Sequence, residues 1–300
     1  MKKYLGVDLG GTNVRVAVVS ETGEILEEIK RPSLADQGPE IVLDNIAVMI
    51  QTLNTSKECL GVGIGIPGPV DTERGCVTLA TNIKGFAGFP VIDYLQKKLN
   101  MPVYLDNDAN VAGLAEAVVG SGRGKKIVYY VTHSTGIGGA LVVSGKVVSG
   151  HNGYAGEIAN IVIDRNRPKV DHLNAGAVEN WASGTALVRQ ARELIDPEIT
   201  SAYPIFLKAQ DGDAKAIKLV STMCEDMAYM FSAIAHVVEP HVFVIGGGVS
   251  QSHEFYFDEM IEKFKGLVHP GMKDVEFRLA SLDEPGVIGA AMLCSSNGDA

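Results

Sequence analysis

The first thirty residues alternate apolar runs with polar turns. Strand-like runs cover KYLGVDLGG at residues 3–11, NVRVAVVS at 13–20 and ILEEIK at 25–30. Short runs rich in Val and Ile that are separated by Gly and polar residues are typical of strands joined by tight turns. The sequence therefore predicts three strands, with a glycine-rich turn between the first two.

A closely similar pattern returns in KIVYYVTHSTGIGG at residues 126–139, followed by ALVVS at 140–144 and a Gly-Lys turn. Both segments contain an apolar strand, a Thr beside paired glycines and a second Val-rich strand. We interpret this self-similarity as an internal duplication of one supersecondary unit.

Helical patterns alternate with further strand-like runs elsewhere, which predicts a mixed or parallel sheet with helices packed on it. Predicted helices cover residues 40–54, 91–99, 213–238 and a segment that begins at Pro285; predicted strands cover 59–67, 102–106 and 241–248.

Two lobes of similar design around one cleft are the expected organisation. No Ser-, Pro- or charge-rich linker separates the halves, so the boundary is expected at the GSGRG segment, residues 120–124. The predicted N-terminal lobe comprises residues 1–119 plus 286–300, and the predicted C-terminal lobe comprises 120–285.

Composition restricts the classes of function. The 300 residues are 46% hydrophobic, enough for a sizeable core, and the net charge of -10 argues against a nucleic-acid or anionic-membrane surface. No apolar run approaches the roughly 18 residues of a membrane span, and the four cysteines are scattered like reduced thiols. We expect a cytoplasmic protein with small-molecule partners.

Three glycine clusters are candidate ligand sites. The first, DLGGTNVR at residues 8–15, can bring backbone N–H groups to an anion, although an ordinary hairpin turn is an equal alternative. It lacks the spacing of a P-loop. The second, THSTGIGG at 132–139, occupies the equivalent place in the repeat, so the two turns could hold a polyphosphate with Mg²⁺ between them. His133 in this segment is more typical of a structural hydrogen bonder than of a base.

The third cluster, VIGGGV at residues 244–249, follows a buried strand. It could admit a nucleoside, or could serve only tight packing of the strand against a helix. Taken together, the predicted nucleotide-binding residues are Asp8, Gly10, Gly11, Thr12, Asn13, Thr135, Gly136, Gly138, Gly247 and Gly248.

The segment YLDNDANVAGLAEA, residues 104–117, concentrates acidic and amide side chains before a helical pattern. A calcium loop is excluded, because Val111 stands where Gly is needed and Ala117 where a bidentate Glu is needed. A helix cap and a general base at the helix N-terminus are both compatible with the pattern.

Six motifs in order resemble the ROK family of bacterial sugar kinases and repressors. They are DLGGTNVR, GIGIPGPVD (63–71), NDAN (107–110), TGIGG, GYAGEI (153–158) and GAVENWASGTAL (176–187), and they span nearly the whole chain.

The resemblance implies an α/β, actin-like, hexokinase-type fold of two RNase H-like lobes around a central cleft, and ATP-dependent phosphorylation of a hexose. Asp108 would be the general base for the sugar hydroxyl, and Mg²⁺ bound to ATP would lie near Asp8. The predicted sugar-binding residues are Gly68, Asn107, Asp108, Glu157, Asn160 and Glu179. Asp106 and Asn110 would support them, and a homodimer is expected.

The chain departs from the family at a structural zinc site. Many members have a His and a cysteine cluster after the A-G-E segment, whereas here Asn160 occupies the His position and residues 161–178 contain no Cys. We therefore expect no zinc. Because the first strand begins near Tyr4, no room is expected for the DNA-binding domain of the repressors.

A glucokinase-like activity at the sugar 6-hydroxyl is the first hypothesis. Kinases for N-acetylmannosamine, fructose, allose or a β-glucoside are alternatives within the class, because Asn160 could alter the choice of sugar. A non-catalytic sugar sensor of the same fold and an actin-like ATPase without a sugar substrate are hypotheses from other classes.

Overall fold

The computed structural model describes residues 1–80 and 83–298. The chain forms two compact units: the first comprises Met1–Tyr130, Ala140–Gly156 and Ala280–Ala300, and the second comprises Val131–Gly139 and Glu157–Leu279. The expected lobe boundaries remain a prediction, and residues 81, 82, 299 and 300 of the predicted N-terminal lobe lie outside the described part.

The secondary structure alternates strands and helices, as the sequence pattern predicts. The strands are β1 (Lys3–Leu9), β2 (Asn13–Ser20), β3 (Ile25–Pro32), β4 (Val62–Ile66), β5 (Val70–Asp71), β6 (Cys76–Val77), β7 (Val103–Asn107), β8 (Ile127–His133), β9 (Ile137–Val143), β10 (Lys146–Val147), β11 (Val242–Gly246) and β12 (Glu276–Leu279). The α-helices are α1 (Pro39–Thr52), α2 (Val91–Leu99), α3 (Asp108–Val118), α4 (Glu179–Ala182), α5 (Gly184–Leu194), α6 (Tyr203–Gln210), α7 (Ala214–Val238), α8 (Phe257–Leu267) and α9 (Pro285–Gly298). Short 3₁₀ helices cover Ser56–Glu58, Ile158–Asn160, Val249–Phe255 and Pro270–Met272.

Two five-stranded sheets have the same internal order. One is β3–β2–β1–β4–β7 and the other is β10–β9–β8–β11–β12. When the five strands of each sheet are numbered in chain order, their spatial order is 3-2-1-4-5 in both sheets. The shared order agrees with the predicted duplication of one supersecondary unit.

The sheet of the first unit combines a meander with parallel strands. β1, β2 and β3 pair antiparallel, whereas β4 pairs parallel with both β1 and β7. Every residue of β4 is buried. The ends of β1, β4 and β7 that carry Asp8, Ile66 and Asn107 therefore lie at one edge of the sheet.

Helix α9 packs closely on this sheet because glycines leave room for its backbone. A Cβ on Gly63 would lie 1.7 Å from the carbonyl oxygen of Ala290, and one on Gly6 would lie 2.0 Å from that of Val287. Only residues without a side chain fit at these two positions. Their role is packing.

The second unit is built around the long helix α7. The Asp213 carboxylate caps its start by accepting hydrogen bonds from the N–H groups of Lys215 and Ala216 at 2.9 and 3.0 Å. Glu239, with φ of 47°, ends the helix before Pro240. Both ends agree with the predicted helix at residues 213–238, because capping residues and proline give local signals.

An aromatic cluster joins α7 to β11, β12 and α8. Phe231 contacts Phe243 and Phe277 edge-on, with ring centroids 4.9 and 5.2 Å apart, and Phe264 lies 5.0 Å from Phe277. Tilted aromatic pairs add about 0.5–1.5 kcal/mol each beyond the burial of their area. These contacts fix the strand that leads into the third glycine cluster.

The segment of residues 179–187 forms two helices, whereas its sequence pattern alone favours one helix with Glu179 and Ser183, four positions apart, on the same face. α4 ends at Ala182, and Ser183 is extended, with ψ of 164°. The Ser183 hydroxyl instead accepts a hydrogen bond from the N–H of Ala186 at 3.2 Å and so caps α5. A serine that starts a second helix divides the pattern.

None of the helices in the described ranges is long and apolar enough to cross a membrane.

Candidate functional site

The acidic segment lies where β7 meets α3. β7 ends at Asn107 and α3 begins at Asp108. The Asn107 side-chain oxygen accepts a hydrogen bond from the N–H of Asn110 at 2.6 Å, so the predicted helix cap is Asn107. Asp108 thereby becomes the first residue of the helix and reaches solvent.

The carboxyl group of Asp108 is exposed to solvent and has a raised pKa. Desolvation by the surrounding protein raises the pKa of Asp108 above its ordinary value, although the side chain is exposed, and a hydrogen bond from the N–H of Ala109 at 2.8 Å partly opposes this shift. A carboxyl group with a raised pKa is a stronger base once it is ionised. Its position fits proton transfer with a bound ligand.

Asp106, two residues earlier, is buried, and its carboxylate accepts three hydrogen bonds. Its carboxylate accepts hydrogen bonds from the N–H of Asn107 at 2.8 Å, the amide of Asn110 at 2.7 Å and the hydroxyl of Ser149 at 3.2 Å. Burial is the main cause that raises the pKa of Asp106, and these donors oppose it. Asp106 and Asn110 are therefore support for the strand-to-helix turn, as the sequence suggests.

Asp8 lies at the end of β1, opposite Arg15 on β2 and beside Gly65 on β4. A Cβ on Gly286 would lie 2.8 Å from Asp8 Oδ2, so the first turn of α9 approaches this carboxylate. Burial, followed by the negative charge of Asp108, raises the pKa of Asp8, and Arg15 lowers it. Asp8 and Asp108 are thus electrostatic neighbours.

The glycine turn between β1 and β2 is exposed and firmly anchored. Gly10 N–H donates to the Asn13 carbonyl at 2.9 Å, and Ser33 donates from its N–H to the Thr12 carbonyl and from its hydroxyl to the Gly11 carbonyl, both at 2.9 Å. Gly11, Thr12 and Asn13 face solvent. The hairpin turn that the sequence predicts is present, with its tip open to a ligand.

Gly68 adopts φ of 96°, in the region that glycine alone occupies without strain. A Cβ there would lie 2.3 Å from the Leu79 carbonyl oxygen. The residue is thus required for the turn that follows β4. Its backbone, rather than a side chain, is what it could offer a sugar.

In the second unit, the turn between β8 and β9 is held by Glu179. The Glu179 carboxylate accepts a hydrogen bond from the N–H of Ile137 at 2.7 Å, and its Oε2 would lie 2.6 Å from a Cβ on Gly136. Glu179 is partly accessible, so the same carboxylate can also face a ligand. The structure brings together a predicted sugar-binding residue and a predicted phosphate-binding turn.

A cavity of about 720 Å³ adjoins this turn. Thr135 and Gly248, both predicted as nucleotide-binding, line it, together with residues from α5 and the start of α6. Gly247 lies behind it with φ of 94°, and a Cβ there would lie 2.5 Å from the His133 carbonyl oxygen. Gly136, Gly138 and Gly247 do not line the cavity. Its volume falls in the range typical of small-molecule sites.

Several cavity residues carry no signal in the sequence motifs. They include Arg189, Arg192 and Tyr203. Tyr203 is about half exposed and lies edge-on to Phe255, with ring centroids 6.1 Å apart. The helical pattern of residues 184–194 gives no indication of which side faces a cavity, and so these residues were not expected.

The 3₁₀ helix Ile158–Asn160 follows Glu157 and ends at Asn160, and both of these residues are exposed. The Asn160 side-chain oxygen accepts a hydrogen bond from the N–H of Asn174 at 2.7 Å. Asn160 therefore joins the two ends of the segment in which the sequence lacks the family's cysteines.

His133 is fully buried and structural, as its sequence context suggests. Its Nε2 lies 2.8 Å from the Ala182 carbonyl oxygen, and its Nδ1 lies 3.5 Å from the Tyr256 hydroxyl. Burial lowers the pKa of His133 to about 4, so the ring is neutral at physiological pH. It fixes β8 against α4.

The resemblance to the ROK family implies Mg²⁺ bound with the phosphates of ATP, near Asp8. In the part of the chain that the structure describes, no three His, Cys, Asp or Glu side chains cluster as a metal site. Mg²⁺ typically needs only one or two carboxylates, because phosphate oxygens and water complete its shell. The Asp8 and Asp108 pair fits that requirement.

The fold and these motifs define a family. A profile of the ROK family matches residues 4–297, so the chain belongs to the ROK family. A glucokinase of Thermotoga maritima is 33% identical, over 97% of this chain and 96% of the relative.

Solved structures agree. The ROK hexokinase from Thermus thermophilus superposes with a TM-score of 0.87 at 31% identity, covering 97% of each chain. A ROK family glucokinase from Streptomyces griseus, in complex with glucose and AMPPNP, gives a TM-score of 0.76 at 28% identity, covering 97% of this chain and 98% of that one. These matches confirm the predicted α/β, hexokinase-type fold.

Proposed function

We propose that this protein is an ATP-dependent sugar kinase that phosphorylates a hexose, with glucose as the first candidate and its 6-hydroxyl as the acceptor. The 33% identity to a glucokinase over almost the full length supports the class of reaction. The Streptomyces griseus relative, crystallised with glucose and AMPPNP, supports the pair of substrates.

The observation that carries the proposal is the placement of Asp108. Its exposed carboxyl group starts α3, its pKa is raised, and the Asn107 cap fixes the backbone on which it sits. In the reaction, Asp108 accepts the proton of the sugar hydroxyl as the hydroxyl oxygen bonds to the γ-phosphorus. The bond from that phosphorus to the β,γ-bridging oxygen breaks, and ADP leaves.

Phosphate binding is assigned to the backbone of the two glycine turns. The exposed turn at residues 10–13 and the turn at 135–138 are assigned this role through N–H groups other than those of Gly10 and Ile137, which already have acceptors. Backbone N–H groups suit oxygens that carry spread negative charge. Mg²⁺, when bound with ATP, supplies neutralisation of that charge. Asp8 is the carboxylate that would hold the ion or its waters.

Sugar binding is assigned to the residues that the sequence motifs predict for it. Asn107 uses its oxygen for the cap, and no group in residues 1–80 or 83–298 accepts from its Nδ2, which leaves that amide to donate to a sugar hydroxyl. Glu157, Asn160 and Glu179 supply further polar atoms, and Gly68 supplies backbone. Hydroxyl recognition by such groups excludes analogues that lack the matching hydroxyl.

The adenosine part of ATP is assigned to the cavity of about 720 Å³. Gly248 forms one wall without a side chain, and Tyr203 offers an aromatic face. This assignment makes Thr135 the link between the nucleoside and its phosphates, since it lies both on the cavity and in the turn. A homodimer in the cytoplasm completes the proposal, and light scattering of the purified protein tests the dimer.

The test is ADP release, coupled to an optical readout, over a panel of glucose, fructose, mannose, allose, amino sugars and β-glucosides. We expect glucose or a close relative to give the highest kcat/KM, with ADP release at least about 100-fold above the sugar-free control. Equal ADP release without sugar would instead indicate an ATPase. Sugar binding without ADP release would indicate a sensor.

A further inference from the structure

Residues 161–178 form a closed loop in the second unit. Ile163 N–H donates to the Gly176 carbonyl at 3.0 Å, Val178 N–H donates to the Ile161 carbonyl at 2.9 Å, and Val162 pairs antiparallel with Ala177. The residues that bound this loop are Asn160 and Glu179. The loop therefore separates two residues that we assign to the sugar.

The resemblance to the ROK family implies a structural zinc in this part of many members, but the residues present do not fit one. His172 is the only His or Cys of residues 161–178, and its side chain is 83% exposed. A structural zinc site needs four ligands, usually thiolates and imidazoles. Something other than zinc must order this loop.

An ion pair connects this loop to helix α7. The Arg167 guanidinium donates to both carboxylate oxygens of Asp226 on α7, at 2.6 and 2.7 Å. The Asp226 side chain is 3% exposed. A two-point fork of this kind fixes direction as well as distance, which a single ammonium group cannot do.

The same guanidinium also stacks on α4. Arg167 Cζ lies 4.9 Å from the centre of the Trp181 ring, and Trp181 is two residues from Glu179. On the other side, the Asn180 amide donates to the Asp171 carboxylate in the loop at 3.0 Å. Arg167 thus connects the loop, α7 and the helix that carries Glu179.

We infer that Arg167 is a positioning residue for the sugar site, and that its pair with Asp226 and its stacking on Trp181 order the loop that many relatives order with zinc. The inference rests on the proposed function for the identity of the ligand. Arg167 is not one of the residues assigned to the sugar or the phosphates, and it acts through Asn160 and Glu179.

A buried ion pair is weak evidence for stability, because desolvation offsets much of the attraction between the charges. Its geometry is the stronger argument here. Loss of Arg167 leaves the Asp226 carboxylate buried without its partner and removes the nearer of the two guanidinium groups that lie over the Trp181 ring, the other being that of Arg189 at 5.8 Å. We expect the loop to be displaced and the affinity for sugar to decrease, while the nucleotide cavity stays unchanged.

The chain offers a direct probe, because Trp181 is its single tryptophan. Arg167→Met should shift tryptophan emission to longer wavelength and raise the KM for sugar about tenfold, equivalent to about 1.4 kcal/mol. The kcat and the KM for ATP should stay within about twofold of wild type. Arg165→Met, which removes an exposed positive charge from the same loop, is the matched control and should resemble wild type.

Trypsin gives a readout independent of catalysis. Cleavage after the exposed Lys169 should be faster in Arg167→Met than in wild type or Arg165→Met, because the ion pair with Asp226 no longer holds the loop against α7. Trypsin cleavage and tryptophan emission together test the role of Arg167 in the loop, even when the wild-type protein phosphorylates no sugar. Failure to phosphorylate any sugar would reject only the proposed function.

Three results overturn the inference: an unchanged sugar KM in a folded Arg167→Met variant, unchanged cleavage at Lys169, or one zinc per chain that survives washing with a chelator. A second variant guards against misfolding of the first. Arg167→Lys keeps the positive charge but cannot donate to both Asp226 oxygens in the planar two-point geometry of the guanidinium. An unchanged sugar KM in this variant counts equally against the inference.

Discussion

The Asp106 carboxylate accepts a hydrogen bond from the Asn110 amide at 2.7 Å, and both side chains are buried. The pair spans the junction at which β7 becomes α3. Asp108, the proposed base, lies between these two residues in the chain. The position of Asp108 therefore depends on a polar network that faces the interior.

Asp106→Ala tests this dependence. The change leaves the Asn107 N–H, the Asn110 amide and the Ser149 hydroxyl without their acceptor, at a cost of about 1–3 kcal/mol for each buried donor that stays unsatisfied. We expect a lower free energy of unfolding in urea together with a lower kcat. Asp106→Asn keeps one oxygen acceptor and should lose less of both. Equal losses in the two variants would argue against a role for the hydrogen bonds.

Asp108→Asn tests the proposed base. The amide has nearly the same shape but cannot accept the proton, so kcat should fall about 10²- to 10⁴-fold. The affinity for sugar, followed by the emission of Trp181, should change by no more than about threefold, because the hydrogen-bonding outline is kept. Turnover at the wild-type rate would rule out Asp108 as the base.

Gly63→Ala tests the packing of α9. The added Cβ would lie 1.7 Å from the Ala290 carbonyl oxygen, and the helix must move to admit it. We expect the free energy of unfolding to fall by about 3 kcal/mol or more, at the upper end of overpacking effects. Gly266→Ala is the matched control, since a Cβ there meets no atom within 4 Å in helix α8, and it should be neutral or stabilising by up to about 1 kcal/mol.

Local signals made the strands and the ends of the long helices predictable. Short apolar runs between glycine and polar turns gave β1 and β2, and Asp213 and Pro240 gave the limits of α7, because capping and proline act within a few residues. The Asn107 cap belongs to the same class. In each case the residue that decides the structure is close in sequence to the structure it decides.

Contacts between distant segments were not predictable in the same way. Glu116 is fully buried and accepts hydrogen bonds from the N–H groups of Ser121, Ser281 and Leu282 at 2.8 to 2.9 Å. Two of these donors are more than 160 positions away in the chain. Likewise, nothing local pairs Arg167 with Asp226. Burial and partner choice at such sites depend on the whole fold.

The acid limb of the activity profile follows from the raised pKa values of Asp108 and Asp8. A base must be ionised to act, and burial favours its protonated form, so kcat/KM should fall at a higher pH than an ordinary Asp would give. Unfolding would not explain this fall: a carboxyl group with a raised pKa binds its proton more tightly in the folded state, so protonation adds stability as pH decreases. We therefore expect kcat/KM to decline while the Tm, measured in the same buffers, is maintained across that limb. A parallel fall of Tm and activity would assign the limb to unfolding instead.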